Sequence, residues 1–371
     1  MYTKPRACGA MRDAILMEKA KTCSGHEDDE EEGTDRMSEL PEHIMDFLPV
    51  DGWDATRISV LSKKFFSLWC SYPAIDFDFC YSPKLKRRVW DTVYVLNSIQ
   101  YRLQHRRLCK NNHCLQRLSF VARLGGGFES DSNARIVEMI HFALQNQVKE
   151  LCVQVAKTTE QLDYDYEKYK LVKLSCFPEP VFSAKSITSL SLVGFDLAHS
   201  QTQHITLSSS LIERFTLSFC SGITGITLRG PKLSEVSFRN CHGLETIQVD
   251  GPSLDALQYG YEGENYCDIN LASSKSVKSL EIQSIYVTDQ WLNSKFCGIV
   301  ECLTFSGCIF PKVNHTRRYF NCLKRLIFFL CRCKSVEFAT PNLECFTYGG
   351  SLDSDIPLVI SSRRIEAKIR V

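Results

Sequence analysis

Apolar residues recur two positions apart along the C-terminal part of the chain. The pairs are Leu190/Leu192, Phe215/Leu217, Val236/Phe238, Leu257/Tyr259, Leu280/Ile282, Leu303/Phe305, Leu326/Phe328 and Phe346/Tyr348. Period-two spacing puts both members of a pair on one face of a strand. The first members stand at 190, 215, 236, 257, 280, 303, 326 and 346, separated by 25, 21, 21, 23, 23, 23 and 20 residues. A further apolar residue stands three positions before each pair: Ile187, Ile212, Leu233, Leu254, Val277, Val300, Leu323 and Leu343. Three positions after the second member come Phe195, Cys220, Cys241, Glu262, Ile285, Cys308, Cys331 and Ser351. The unit therefore reads L-x-x-L-x-L-x-x-C. One short strand in about 22 residues cannot cover its own apolar face, but stacked copies cover one another. The expected fold over residues 146–371 is a parallel solenoid with one strand of each unit in a continuous sheet.

A second apolar pair follows in several units, as in Ile226-x-Leu228 and Ile247-x-Val249, each before Gly-Pro, and in Val336-x-Phe338 before Pro341. Gly-Pro disfavours helix, so the return side of these units is expected to be extended. Upstream, Ile136–Val155 reads as an amphipathic helix running into a strand, and Leu118 and Phe120 begin the first strand. Lys84–Arg107 reads as a helix with Trp90, Val93, Leu96 and Leu103 inward. Residues 77–145 are thus a helical joint with a first repeat-like segment.

Ahead of the joint, the apolar period changes. ELPEHIMDFLPVDGWDATRISVLSKKFFSLW, residues 39–69, holds two short apolar helices around a turn with Pro49, Asp51 and Gly52. The second helix crowds Ile58, Val60, Leu61, Phe65, Leu68 and Trp69 into about four turns. That is more apolar surface than so small a unit covers by itself, as expected of a docking module. The order LP, FLP, small-residue turn, SVLSKxFxxLW and DFD resembles the plant F-box, which places that domain at 35–76. The spacing differs in one respect: only EHIMD separates Leu40-Pro41 from Phe47-Leu48-Pro49, about one helical turn less than is usual. The L-x-x-L-x-L-x-x-C unit is similar to the cysteine-containing leucine-rich repeat.

The resemblance implies an α+β solenoid architecture: a helical F-box, then a curved leucine-rich-repeat stack with a concave parallel sheet. It also implies a substrate-recruiting subunit of a Skp–cullin–F-box ubiquitin ligase, with partners to match. A Skp-family adaptor, and through it a cullin, would dock on Leu40, Pro41, Ile44, Phe47, Leu48, Pro49, Val60, Leu61, Phe65, Leu68 and Trp69. A target protein would meet the repeats. An interaction scaffold whose F-box no longer binds the adaptor is the alternative.

Side chains between the apolar ones point away from the core. Arg214, Thr216, Glu235, Ser237, Arg239, Gln258, Glu281, Gln283, Arg325, Ile327 and Phe329 occupy those positions. They are the expected target-binding face. Ile327 and Phe329 make one strand apolar on both sides, as a binding hot spot requires, unless residues 355–371 fold over it.

Composition narrows the alternatives. A net charge of +1 supplies no global attraction to nucleic acid or anionic lipid. No run of 18 uninterrupted apolar residues occurs, so no membrane partner is expected. Residues 1–34, with the acidic run HEDDEEEG, read as a disordered tail without a signal peptide's apolar core. A nuclear or cytoplasmic location follows, and there the 18 cysteines stay reduced. Cys109, His113 and Cys114 lack the matching second pair of a zinc site, and Cys220, Cys241, Cys308 and Cys331 have a packing role instead. The nucleophile-elbow, phosphate-loop and zinc-protease signatures are all missing. We expect no enzyme, metal or cofactor.

Overall fold

The structure is a computed structural model that describes residues 73–78, 100, 103–104, 115–124, 130–157, 172–173, 180–197, 203–263, 267–271, 273–274, 277–288, 298–310, 318–333, 336–350, 358–361 and 366–370. Twelve parallel strands form one long sheet in chain order. They are Ala74–Asp78, Arg117–Leu124, Glu150–Lys157, Ser189–Val193, Arg214–Ser218, Glu235–Arg239, Ala256–Gly263, Val277–Ile285, Val300–Ser306, Arg325–Phe329, Cys345–Gly349 and Glu366–Arg370. The first members of the eight apolar pairs fall in a single register row, Leu190 to Phe215, Val236, Leu257, Leu280, Leu303, Leu326 and Phe346. The spacing pattern thus identified the rungs of a parallel-strand solenoid.

Most rungs start in the same way. Two successive N–H groups share one carbonyl of the rung before, as Glu213 and Arg214 share Thr188, and Asp255 and Ala256 share Ser234. Gln116 and Arg117 share Pro73 by the same bond, and Lys149 and Glu150 share Gln116. The stack therefore begins at Ala74–Asp78, before residue 146 and ahead of the strand expected at Leu118 and Phe120. Residues 74–76, which the sequence grouped with the F-box, start the first rung. At the other end Glu366–Arg370 pairs with Cys345–Gly349 and lengthens the sheet. That strand does not lie across the face that Ile327 and Phe329 share.

Five rungs also leave their strands in one way. The residue after the strand takes a positive φ: Gly194, Phe219, Asn240, Gly307 and Leu330. Its N–H then reaches forward to the next rung, for example Phe219 to Arg239 at 2.7 Å and Leu330 to Gly349 at 2.7 Å. For a residue with a Cβ this conformation costs about 1–2 kcal/mol, and the gained bond offsets part of it. The turn sends the following side chain into the core, where Phe195, Cys220, Cys241, Cys308 and Cys331 are buried. The unit at Leu257 departs from the expected pattern. Its strand runs on to Gly263 with a register shift between Gly260 and Gly263, and Cys267, beside Tyr259, is buried there. Glu262 thus lies inside the strand rather than at a turn.

The return sides of four units form a second parallel sheet, His204–Ser208, Gly225–Arg229, Thr246–Asp250 and Asp268–Asn270. Ile205, Ile226, Ile247 and Ile269 are register partners in it, all buried. Strand Val336–Ala339 lies in a third, three-stranded sheet. The extended return expected from the Gly-Pro pairs is what forms. Between the sheets runs one apolar core. Near the C-terminal end it is a phenylalanine cluster, with Phe305 5.0 Å from Phe310 and 5.2 Å from Phe328 between ring centroids.

The helix Ser130–Gln145 buries Ile136, Met139, Ile140 and Ala143, which share one helical face. It stops at Gln147, whose positive φ allows Val148 N–H to bond Ala143 and Gln147 N–H to bond Leu144. Those two bonds are a Schellman cap, which turns the chain directly into strand Glu150–Lys157. Leu103 is buried; most of the helix expected over Lys84–Arg107 lies outside the described residues.

Candidate protein-binding surface

The outward residues of the long sheet form three rows. Because the strands are parallel and in register, each outward position aligns with the same position on the next rung, about 4.8 Å away. One row holds Arg214, Glu235 and Arg325; the next holds Thr216, Ser237, Gln258, Glu281 and Ile327; the third holds Arg239, Gln283 and Phe329. All the residues expected to face a target are on this one surface, each exposed or half-buried.

A hydrogen-bonded relay occupies the middle of the surface. Arg239 Nη2 donates to Gln258 Oε1 at 2.9 Å, and Gln258 Nε2 donates to Glu281 Oε2 at 3.1 Å. Gln283 Nε2 donates to the other carboxylate oxygen at 2.6 Å. The guanidinium on one side and the carboxylate on the other determine which end of the Gln258 amide points where. Turned over, the amide would set N–H against N–H and oxygen against oxygen. Toward the N-terminal rungs, Arg214 spans two strands to reach Glu150 at 3.2 Å, and Arg117 meets Asp76 through two bonds of 3.0 and 2.8 Å. These pairs are solvent-exposed, so each stabilises by at most about 1 kcal/mol.

Around strand Arg325–Phe329 the surface changes character. Leu326 and Phe328 are fully buried beneath it, Ile327 is half-buried, and Phe329 is 52% exposed. The Phe329 ring leans over Gly349 on the next strand, 3.0 Å from where a Cβ would stand. Leu330, at the strand exit, is 60% exposed, and Tyr286, two rungs back, is 43% exposed. Neither is among the residues that alternation singles out. Leu330 belongs to the apolar run IFFL, which is its only sequence signal; Tyr286 has none. Arg325 and Arg332 make no ion pair with any described residue.

Two of the turn thiols are held in their neutral form. Burial pushes Cys220 up to about 11 and Cys241 well above its ordinary value, so both stay protonated and neutral. They serve as small core side chains, as the repeat pattern requires. The adaptor-docking candidates, Leu40 to Trp69, lie outside the described residues.

Two curated proteins of Arabidopsis thaliana are similar to this chain. One is a putative F-box/FBD/LRR-repeat protein, 28% identical over 271 residues, covering 65% of this chain and 51% of its own length. The other is a putative F-box/LRR-repeat protein, 23% identical over 272 residues, covering 68% of this chain and 53% of its own length. This chain is similar to plant proteins named for an F-box and leucine-rich repeats. It spans about half the length of the two relatives it matches. No family model matches it. No solved structure does either. The relationship rests on the two matches, and the parallel solenoid agrees with the LRR part of their names.

Proposed function

We propose that this F-box/leucine-rich-repeat relative is the substrate-recognition subunit of a Skp–cullin–F-box ubiquitin ligase. One conjunction carries the reading: an F-box-like segment at 35–76 stands directly ahead of a repeat solenoid, in a chain whose relatives are named for both. The F-box would dock a Skp-family adaptor and, through it, a cullin. The outward rows of the long sheet would hold the target protein. The chain itself performs no chemistry. It raises the effective concentration of the target beside a ubiquitin-charged conjugating enzyme, in the nucleus or the cytoplasm.

The test is co-purification of the full chain with a Skp-family adaptor. Leu40→Ala together with Pro41→Ala should abolish it and leave the solenoid folded. Equal adaptor binding by this double variant overturns the assigned docking face. The short first segment favours one other reading, a repeat scaffold that has lost the adaptor. Failure of the wild-type chain to retain any Skp-family adaptor would establish it.

A further inference from the structure

Three adjacent rungs end side by side near the C-terminal part of the stack. At the sheet edge the row is Gln283, Ser306 and Phe329. At the turn the equivalent positions hold Ser284, Gly307 and Leu330, all three with positive φ and all exposed. Beyond the turn come Tyr286, Ile309 and Arg332, joined by parallel bridges. Gly307 is therefore the centre of a three-by-three grid. It contributes no side chain, and the only atoms within 4 Å of its missing Cβ belong to Ser284. Around that floor stand Leu330, Tyr286 and the half-buried Ile309, while the Phe329 ring turns the other way, over Gly349. Two of the four exposed large apolar side chains among the described residues thus border one dimple one strand wide. The rungs on either side of Gly307 stand about 9–10 Å apart from backbone to backbone, room for one inserted side chain over the glycine.

Charge selects the occupant. Three other arginines of the outward rows are engaged, Arg117 with Asp76, Arg214 with Glu150 and Arg239 with Gln258. Arg325 and Arg332, which bracket the apolar ridge, have no described carboxylate partner. Arg325 lies four residues before Phe329 on the same face, about 13 Å along the strand. Arg332 lies past the turn. The two residues sit at opposite ends of the corner, so they fit two separated single charges better than one dianion.

We propose that this corner binds an acidic segment of the target: an extended peptide that seats one large apolar side chain over Gly307 and sets a carboxylate against Arg325 and another against Arg332. The inference rests on the target-recognition reading above and names the chemistry of the target. Leu330 and Tyr286 supply the anchor contact, and the arginines select charge and direction.

The probe is a fluorescein-labelled pool of twelve-residue peptides with Asp or Glu about four positions either side of a Phe, Leu or Trp. Matched pools carry Asn/Gln, Lys or phosphoserine at the acidic positions. Anisotropy is read on the full chain with its adaptor. The acidic pool should bind about tenfold more tightly than the amide pool and weaken with salt. Arg325→Glu with Arg332→Glu should invert the preference toward the lysine pool. Tyr286→Ser with Leu330→Ser should weaken all pools, with the circular dichroism unchanged. Equal binding of acidic and amide pools, no binding by any pool, or an unchanged preference after charge reversal overturns the site. So does a phosphoserine pool that outbinds the acidic one tenfold. Adaptor retention is measured on the same samples. Its loss speaks against the ligase reading alone, because these residues are far from the F-box in sequence.

Discussion

The thiol of Cys241 lies 3.5 Å from the carbonyl oxygen of Leu217, one rung back in the stack. The same relationship recurs between Cys220 and Leu192, Cys308 and Ile282, and Cys331 and Phe305, at 3.7, 3.4 and 3.4 Å. Cysteine is small enough for the turn and has one weak donor to offer a carbonyl that would otherwise be buried at the rung's end. Each such thiol ties a rung to its predecessor.

Removing that tie should be measurable. Cys241→Ala loses a buried sulfur and a weak hydrogen bond, and should cost about 1–2 kcal/mol in urea unfolding. Cys322→Ala, at an exposed cysteine, should cost less than about 0.5 kcal/mol. Equal effects would mean that the turn cysteines are not structural.

Stability should fall in mild alkali. Cys220 is raised from 9.0 to about 11 by burial, ahead of any effect of neighbouring backbone groups. The unfolded chain therefore releases this proton at lower pH than the folded one. The contribution is complete below about pH 9 and is lost as pH rises toward 11, with a loss of about 2–3 kcal/mol for this group. Urea midpoints between pH 8 and pH 10.5 should decline less in Cys220→Ala than in wild type. Parallel declines would remove Cys220 as the cause.

Gly194 should not tolerate a side chain. Its φ is +86°, and an added Cβ would collide with the carbonyl oxygen of Val155. Gly194→Ala should cost about 3 kcal/mol or more. Gly298→Ala, where nothing lies within 4 Å of the new carbon, should stay within about 0.5 kcal/mol. Thermal melts of the two variants provide the comparison.

The apolar ridge should behave as surface. Ile327→Ser with Phe329→Ser should lower unfolding stability by no more than about 1–2 kcal/mol, because Phe329 is half in solvent and Ile327 only half-buried. Leu326→Ala, fully buried directly behind, should cost about 2–5 kcal/mol. A loss in the double variant as large as that of Leu326→Ala would make the ridge part of the core.

The sequence by itself determined the phase of the solenoid. Alternation of two and repetition near 22 are local properties, so the inward residue of each pair from Leu190 to Phe346 was legible, and with it the outward rows. The short apolar motifs before Gly-Pro likewise read as strands. Tertiary structure decided the rest. AIDFD at 74–78 and EAKIR at 366–370 do not declare themselves as rungs, because the first lies far outside the repeat spacing, across a segment of some forty residues from its neighbour, and the second has only Ala367 at the first apolar position; partner strands satisfy their backbone groups. The positive φ at Phe219 and Leu330 is a cost that no propensity favours, accepted because the next rung supplies the bond. The dimple at Gly307 exists only where three rungs align. Residues 286, 307 and 330 lie far apart along the chain, and no local pattern announces that a parallel register will bring them side by side.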